Sequence, residues 1–162
     1  MARLQGISKN LNAFLDMIST AEGTSIIPNS DDGYRVIVGS TPTKPDLMCF
    51  YKDHPRKVVT LNKAGLRSTA AGRYQILARF FDAYKKQLDL PDFSPTSQDS
   101  IAVQMIKECK AIDDIEAGKL TSAVFKCGSR WASLPGNSYG QRKLTIEELR
   151  ADYVSNGGKV TV

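Results

Sequence analysis

A chain of 162 residues, 41% of them hydrophobic, is long enough to bury a core and suits one compact domain or two small lobes. No run of about 18 apolar residues occurs, so no membrane-spanning helix is expected, and the opening MARLQGISKNLNAF lacks the apolar centre and cleavage site of a secretory signal. The formal charge of +5 favours polyanionic partners such as nucleic acid, anionic membrane or anionic wall, but the basic residues are scattered and form no nucleic-acid motif.

Cys49, Cys109 and Cys127 are an odd number without C-x-x-C spacing, which argues against a disulfide framework or a zinc site. They are expected as small buried hydrophobes. His54 is the single histidine, so no histidine-based metal cluster is possible. With no G-x-S-x-G elbow to serve, His54 in DHPRK is expected at the surface or in a turn.

In chain order, Leu11, Phe14, Leu15 and Ile18 stand at i, i+3, i+4 and i+7 and predict the buried stripe of a first helix. The next position on that face is Glu22, and Gly23 then suits a left-handed helix end. Burial and the negative end of the helix both disfavour a carboxylate there. A carboxyl group with a raised pKa is what a general acid needs. An exposed glutamate in a fraying last turn is the other reading, and periodicity alone leaves both open.

Residues 24–33 (TSIIPNSDDG) are turn-rich. YRVIVG at 34–39, LMCFY at 47–51 and KVVTL at 57–61 predict three short strands. Residues 71–90 place Ile76, Leu77, Phe80, Phe81, Tyr84 and Leu88 on one helical side. Pro95 and Ser97 introduce a further helix, with Ile101, Met105, Ile106 and Cys109 inward. Short helices are expected around 112–117 and 120–127, then short helix and loop over 129–142. Thr145 and Glu148 have capping-box spacing before a last helix reaching about Val154, and NGGKVTV closes the chain as an irregular or frayed tail.

This order predicts an α+β protein with segregated parts, predominantly helical with a small antiparallel sheet lobe. The sheet lobe is expected over about 24–66 and the helical lobe from about 67, with the first helix at their junction. A cleft between the lobes is the expected binding site, with Glu22 entering it.

Six stretches, in order over nearly the whole chain, resemble the endolysins of lambda-type bacteriophages. They are FLDM…EGT at 14–24, GY-x-VIVG at 33–39, DHPRK at 53–57, STAAGRYQ at 68–75, FSPTSQD at 93–99 and WASLPG-x-x-YGQ at 131–141. The resemblance implies a single lysozyme-like domain over 1–162 and a lytic transglycosylase. Such an enzyme cleaves the β-1,4 bond between N-acetylmuramic acid and N-acetylglucosamine in peptidoglycan and leaves a 1,6-anhydromuramoyl end, using neither cofactor nor metal. Its catalytic glutamate falls on Glu22.

The resemblance also implies accumulation in the host cytoplasm as a monomer, with no nucleic-acid partner and no membrane anchor. A separate holin would breach the membrane before the enzyme reaches periplasmic peptidoglycan. Gln75, in G-x-x-Q, is similar to the sugar-binding glutamine of lytic transglycosylases, or is an ordinary polar residue of a helix start. Tyr139 and Gln141 in YGQ are candidate substrate contacts, and Tyr139 could equally fill the core. Tyr34 and Arg73 are weaker candidates for substrate binding. Ser68 and Thr69 are expected as helix caps and Trp131 as buried structure.

Arg35 stands where the family often carries an acidic residue, implying that the acid is not essential. The hydrolytic alternative is an inverting muramidase with the pattern Glu, eight residues, Asp, five residues, Thr. Glu22 and Asp31 match its first spacing, but Ile37 occupies the threonine position, and Asp31–Asp32–Gly33 reads as an ordinary turn. A non-catalytic wall-binding or nucleic-acid-binding module is the remaining alternative, and it has no use for an ionisable group at Glu22.

Overall fold

The computed structural model describes residues 1–138 and 143–161. In chain order the named elements are α1 (Lys9–Ala21), β1 (Val59–Thr60), β2 (Arg67–Ser68), α2 (Ala78–Leu88), α3 (Pro95–Glu108), α4 (Ile112–Glu116), α5 (Leu120–Cys127) and α6 (Ile146–Ser155). They fall into two compact units, Met1–Glu22 with Ala102–Val162, and Gly23–Ile101. The second unit thus carries the hairpin together with α2 and the first half of α3, beyond the expected sheet-lobe limit near residue 66.

In the first unit, α1 starts where the Ser8 hydroxyl accepts a hydrogen bond from the Leu11 amide at 3.0 Å. Its stripe of Leu11, Phe14, Leu15 and Ile18 is buried as the spacing requires. Phe14 meets Tyr153 of α6 edge to face, with centroids 6.5 Å apart, an arrangement the ring quadrupoles favour. Thr145 and Glu148 form the expected capping box at the head of α6. The closing segment is irregular but tied down rather than frayed. The Lys159 amide donates to Asn10 Oδ1 at 2.9 Å and the Thr161 amide to the Gly118 carbonyl at 3.0 Å.

In the second unit, β1 and β2 form an antiparallel pair with Val59 opposite Ser68 and Thr60 opposite Arg67. The expected strands at 34–39 and 47–51 reduce to isolated bridges, Val36 with Leu47 and Ile37 with Ala71. Alternation of apolar residues met the burial requirement there, but the intervening Pro-containing turn leaves too short a ladder for regular strands. The helix expected from residue 71 begins only at Ala78, because Gly72 and Gln75 adopt positive φ (80° and 51°) and turn the chain first.

His54 is buried, not at the surface as expected. Its Nε2 lies 2.8 Å from the Ile76 carbonyl oxygen, Nδ1 accepts from the Arg56 amide at 3.0 Å, and the ring packs against Phe81 and Phe93. With both ring nitrogens bonded inside the fold, the residue can be enclosed. Of the cysteines, Cys127 is buried as expected, whereas Cys109 is only partly buried and Cys49 is exposed.

Candidate active site

Glu22 caps the C-terminal end of α1, its amide still bonded to the Ile18 carbonyl at 2.8 Å. Gly23 then leaves the helix at φ 71°, the left-handed exit that glycine adopts without strain. The Glu22 side chain is partly buried, and the buried Ser133 hydroxyl donates a short hydrogen bond to its Oε1. Burial raises the Glu22 pKa to about 7, and the Ser133 bond opposes that rise without cancelling it. Near neutral pH the group therefore exists in both forms, one able to donate a proton and the other to accept one.

Ser133 belongs to WASLPG, a stretch in which Trp131 is assigned from sequence but Ser133 is given no role. The signal was its position beside Trp131, since a serine flanked by buried residues (Trp131 and Leu134 are 2% and 0% exposed) must direct its hydroxyl to an interior acceptor. Trp131 is buried structure, as expected.

The second unit holds the other candidates. Arg73 is 1% exposed; its guanidinium pairs with the Asp32 carboxylate at 2.9 Å, also bonds the Asp32 carbonyl, and lies over the Tyr34 ring. Tyr34 is fully buried, and its hydroxyl donates to Asp99 Oδ1 at 2.8 Å, where the Tyr74 hydroxyl also donates at 2.6 Å. Burial and the Asp99 charge push both phenols well above their ordinary pKa, so both remain donors. Tyr34 and Arg73, named as candidate substrate contacts, are thus framework residues of this unit. An arginine with its charge matched inside the fold and a tyrosine closed off from solvent present no binding surface.

Gln75 is partly buried in the left-handed turn, and its Nε2 donates to the Gly72 carbonyl at 2.9 Å. It is not in a helix, and the turn holds it ahead of α2 with its Oε1 still able to accept. The N-cap residue of α2 is Leu77 rather than Ser68 or Thr69, although the Thr69 hydroxyl accepts from the Ala78 amide at 3.1 Å; the Ser68 hydroxyl accepts from the Ala70 amide at 3.1 Å. Asp31 and Asp32 have φ of 55° and 58°, the turn expected of them. Asp31 Oδ2 accepts from the Tyr51 hydroxyl at 2.5 Å. Arg35 is a structural residue, its Nε donating to the Met48 carbonyl at 2.7 Å. Tyr139 and Gln141 lie outside the described residues.

Residues 12–160 match the family model Endolysin. The endolysin of Escherichia phage lambda is 47% identical over 156 residues, covering 95% of this chain and 95% of that protein. That of Escherichia phage P2 is 46% identical over 155 residues, covering 93% and 94%. Among solved structures, bacteriophage lambda lysozyme complexed with a chitohexasaccharide aligns with a TM-score of 0.90 at 46% identity, over 98% of this chain and 100% of that one. A second structure of lambda lysozyme aligns at 0.87 with the same identity. With the family model spanning most of its length and two relatives at nearly half identity, the chain belongs to the Endolysin family and has the lysozyme-like fold.

Proposed function

We propose that this endolysin, a peptidoglycan-degrading enzyme of the lysozyme type, cuts glycan strands by lytic transglycosylation with Glu22 as its single acid and base. The observation that carries the reading is the Glu22 carboxyl group itself, poised at a pKa of about 7 by burial against the Ser133 hydrogen bond. In the first step its proton goes to the glycosidic oxygen between N-acetylmuramic acid and N-acetylglucosamine as the C1–O bond breaks through an oxocarbenium-like state. The carboxylate left behind then takes the proton of the muramoyl C6 hydroxyl while O6 bonds to C1. Water is neither consumed nor released, and the enzyme ends as it began. The tethered hydroxyl has a high effective concentration, which favours it over a water molecule.

A chitohexasaccharide bound to lambda lysozyme supports a β-1,4-linked amino-sugar strand as the substrate here. Gln75, and Tyr139 and Gln141 of YGQ, are proposed to contact the sugars. The hydrolytic alternative needs a second carboxylate to activate water. Its sequence candidate, Asp31, holds the Tyr51 hydroxyl, and Asp32 holds Arg73, so both have structural work in their own turn.

Paired substitutions test the reading. Glu22→Gln abolishes turnover with the fold retained, whereas Asp31→Asn keeps activity within about tenfold of the parent. A loss of about a thousandfold at Asp31, roughly 4 kcal/mol of transition-state stabilisation, in a folded protein would transfer the assignment to a hydrolytic mechanism.

A further inference from the structure

The second unit contains an open cavity of about 470 Å³ lined by Arg67, Ser68 and Thr69 from the hairpin side and by Leu77 and Arg79 from the start of α2, with Val58 at its edge. That size falls within the roughly 300–1,000 Å³ of small-molecule sites. No acidic side chain lines it. Arg56, Lys57, Arg73, Lys126 and Arg130 each hold a carboxylate within 3.2 Å. Arg67 and Arg79 have no such partner among the described residues, and Arg79 rests on the Phe80 ring at 5.0 Å.

The Ser68 and Thr69 hydroxyls each accept a backbone amide at 3.1 Å, from Ala70 and Ala78, which leaves each hydroxyl hydrogen to be donated. The polar side chains of the cavity therefore offer donors and positive charge, while Val58 and Leu77 offer an apolar wall. Two guanidiniums without counter-charges beside two donor hydroxyls match a carboxylate group. An uncharged amino-sugar backbone has no group that answers them. Its muramoyl residues, however, carry peptides whose carboxylates and small alkyl side chains fit both halves of the lining.

We propose that this cavity binds the carboxylates of the acidic peptide stem carried by the peptidoglycan strand. The inference rests on the peptidoglycan-degrading reading but not on how the new sugar end is formed.

The test titrates a soluble acidic stem peptide, containing L-alanine and D-glutamate, into the full-length protein by calorimetry. Wild type is expected to bind it, the Arg67→Gln/Arg79→Gln protein about tenfold or more weakly, and Arg67→Lys/Arg79→Lys in between. A peptide with its carboxylates amidated should bind no better to wild type than the acidic peptide binds to the double glutamine variant. On glycan strands, the double glutamine variant should lose the preference of wild type for stem-bearing over amidase-stripped strands, through KM with kcat retained. Circular dichroism verifies that each variant is folded. Equal peptide binding by wild type and the double glutamine variant overturns the proposal, as does displacement of the peptide by inorganic phosphate at matched ionic strength. Peptide binding is read without cleavage, so a wild-type protein that binds the peptide yet cuts neither strand refutes the enzymatic reading separately.

Discussion

At Glu22 the ionisation of one carboxyl group is set by two opposed influences, burial raising its pKa to about 7 and the Ser133 hydroxyl lowering it. Removing the hydroxyl by Ser133→Ala should raise the pKa further. The alkaline limb of the pH–rate profile, where the acid is lost, should then move upward from near pH 7; a limb that stays or moves down contradicts the role given to Ser133. The same group makes stability depend on pH. A folded pKa above the unfolded value means that the native state holds more protons between about pH 4.5 and 7, so stability falls as pH rises through that window. Glu22→Gln removes the dependence. Relative to wild type it should gain up to roughly 3 kcal/mol above pH 7 and nothing below about pH 4. Urea denaturation of both proteins at pH 4 and pH 8 measures the difference.

At the scale of elements, the turn from Ala71 to Ile76 carries much of the second unit. Gly72 has φ 80°, and a Cβ there would lie 2.2 Å from Gln98 Oε1. Gln98 cannot retreat freely: its Oε1 accepts the Arg73 amide at 2.9 Å, and its Nε2 donates to the Tyr34 and Phe93 carbonyls at 3.0 and 2.9 Å. Gly72→Ala should therefore cost about 2–4 kcal/mol, read as a lowered thermal midpoint. The helices were legible in the sequence because their apolar spacing and caps are local. The stripe of α1 and the Thr145–Glu148 box needed only neighbours within one or two turns. The turn at Gly72 was not legible, since the helical spacing of Ile76, Leu77, Phe80 and Phe81 invites a helix from residue 71 where the backbone instead turns until Ala78. The burial of His54, Tyr34 and Arg73 was hidden for a different reason. Each polar group is matched by a partner distant in sequence, Ile76, Asp99 and Asp32, and pattern alone does not reveal such pairings. Glu22 was legible as an unusual residue, but the Ser133 contact that tempers the rise of its pKa on burial spans 111 positions.

For the whole molecule, no helix among the described residues is long and apolar enough to cross a membrane. We propose that passage of the enzyme across the inner membrane depends on a separate membrane-permeabilising partner. Production of this chain alone is then expected to leave cells intact until the inner membrane is breached by solvent or by a pore-forming partner. Turbidity followed with and without such a breach checks this, and early lysis without either would contradict it.

The fate of the cut sugar can be read by digesting purified peptidoglycan in ¹⁸O-labelled water and weighing the fragments by mass spectrometry. Transglycosylation through Glu22 predicts 1,6-anhydromuramoyl ends, lighter by one water than hydrolytic products and free of the label. Primary fragments with reducing muramic acid ends that carry one labelled oxygen would contradict it.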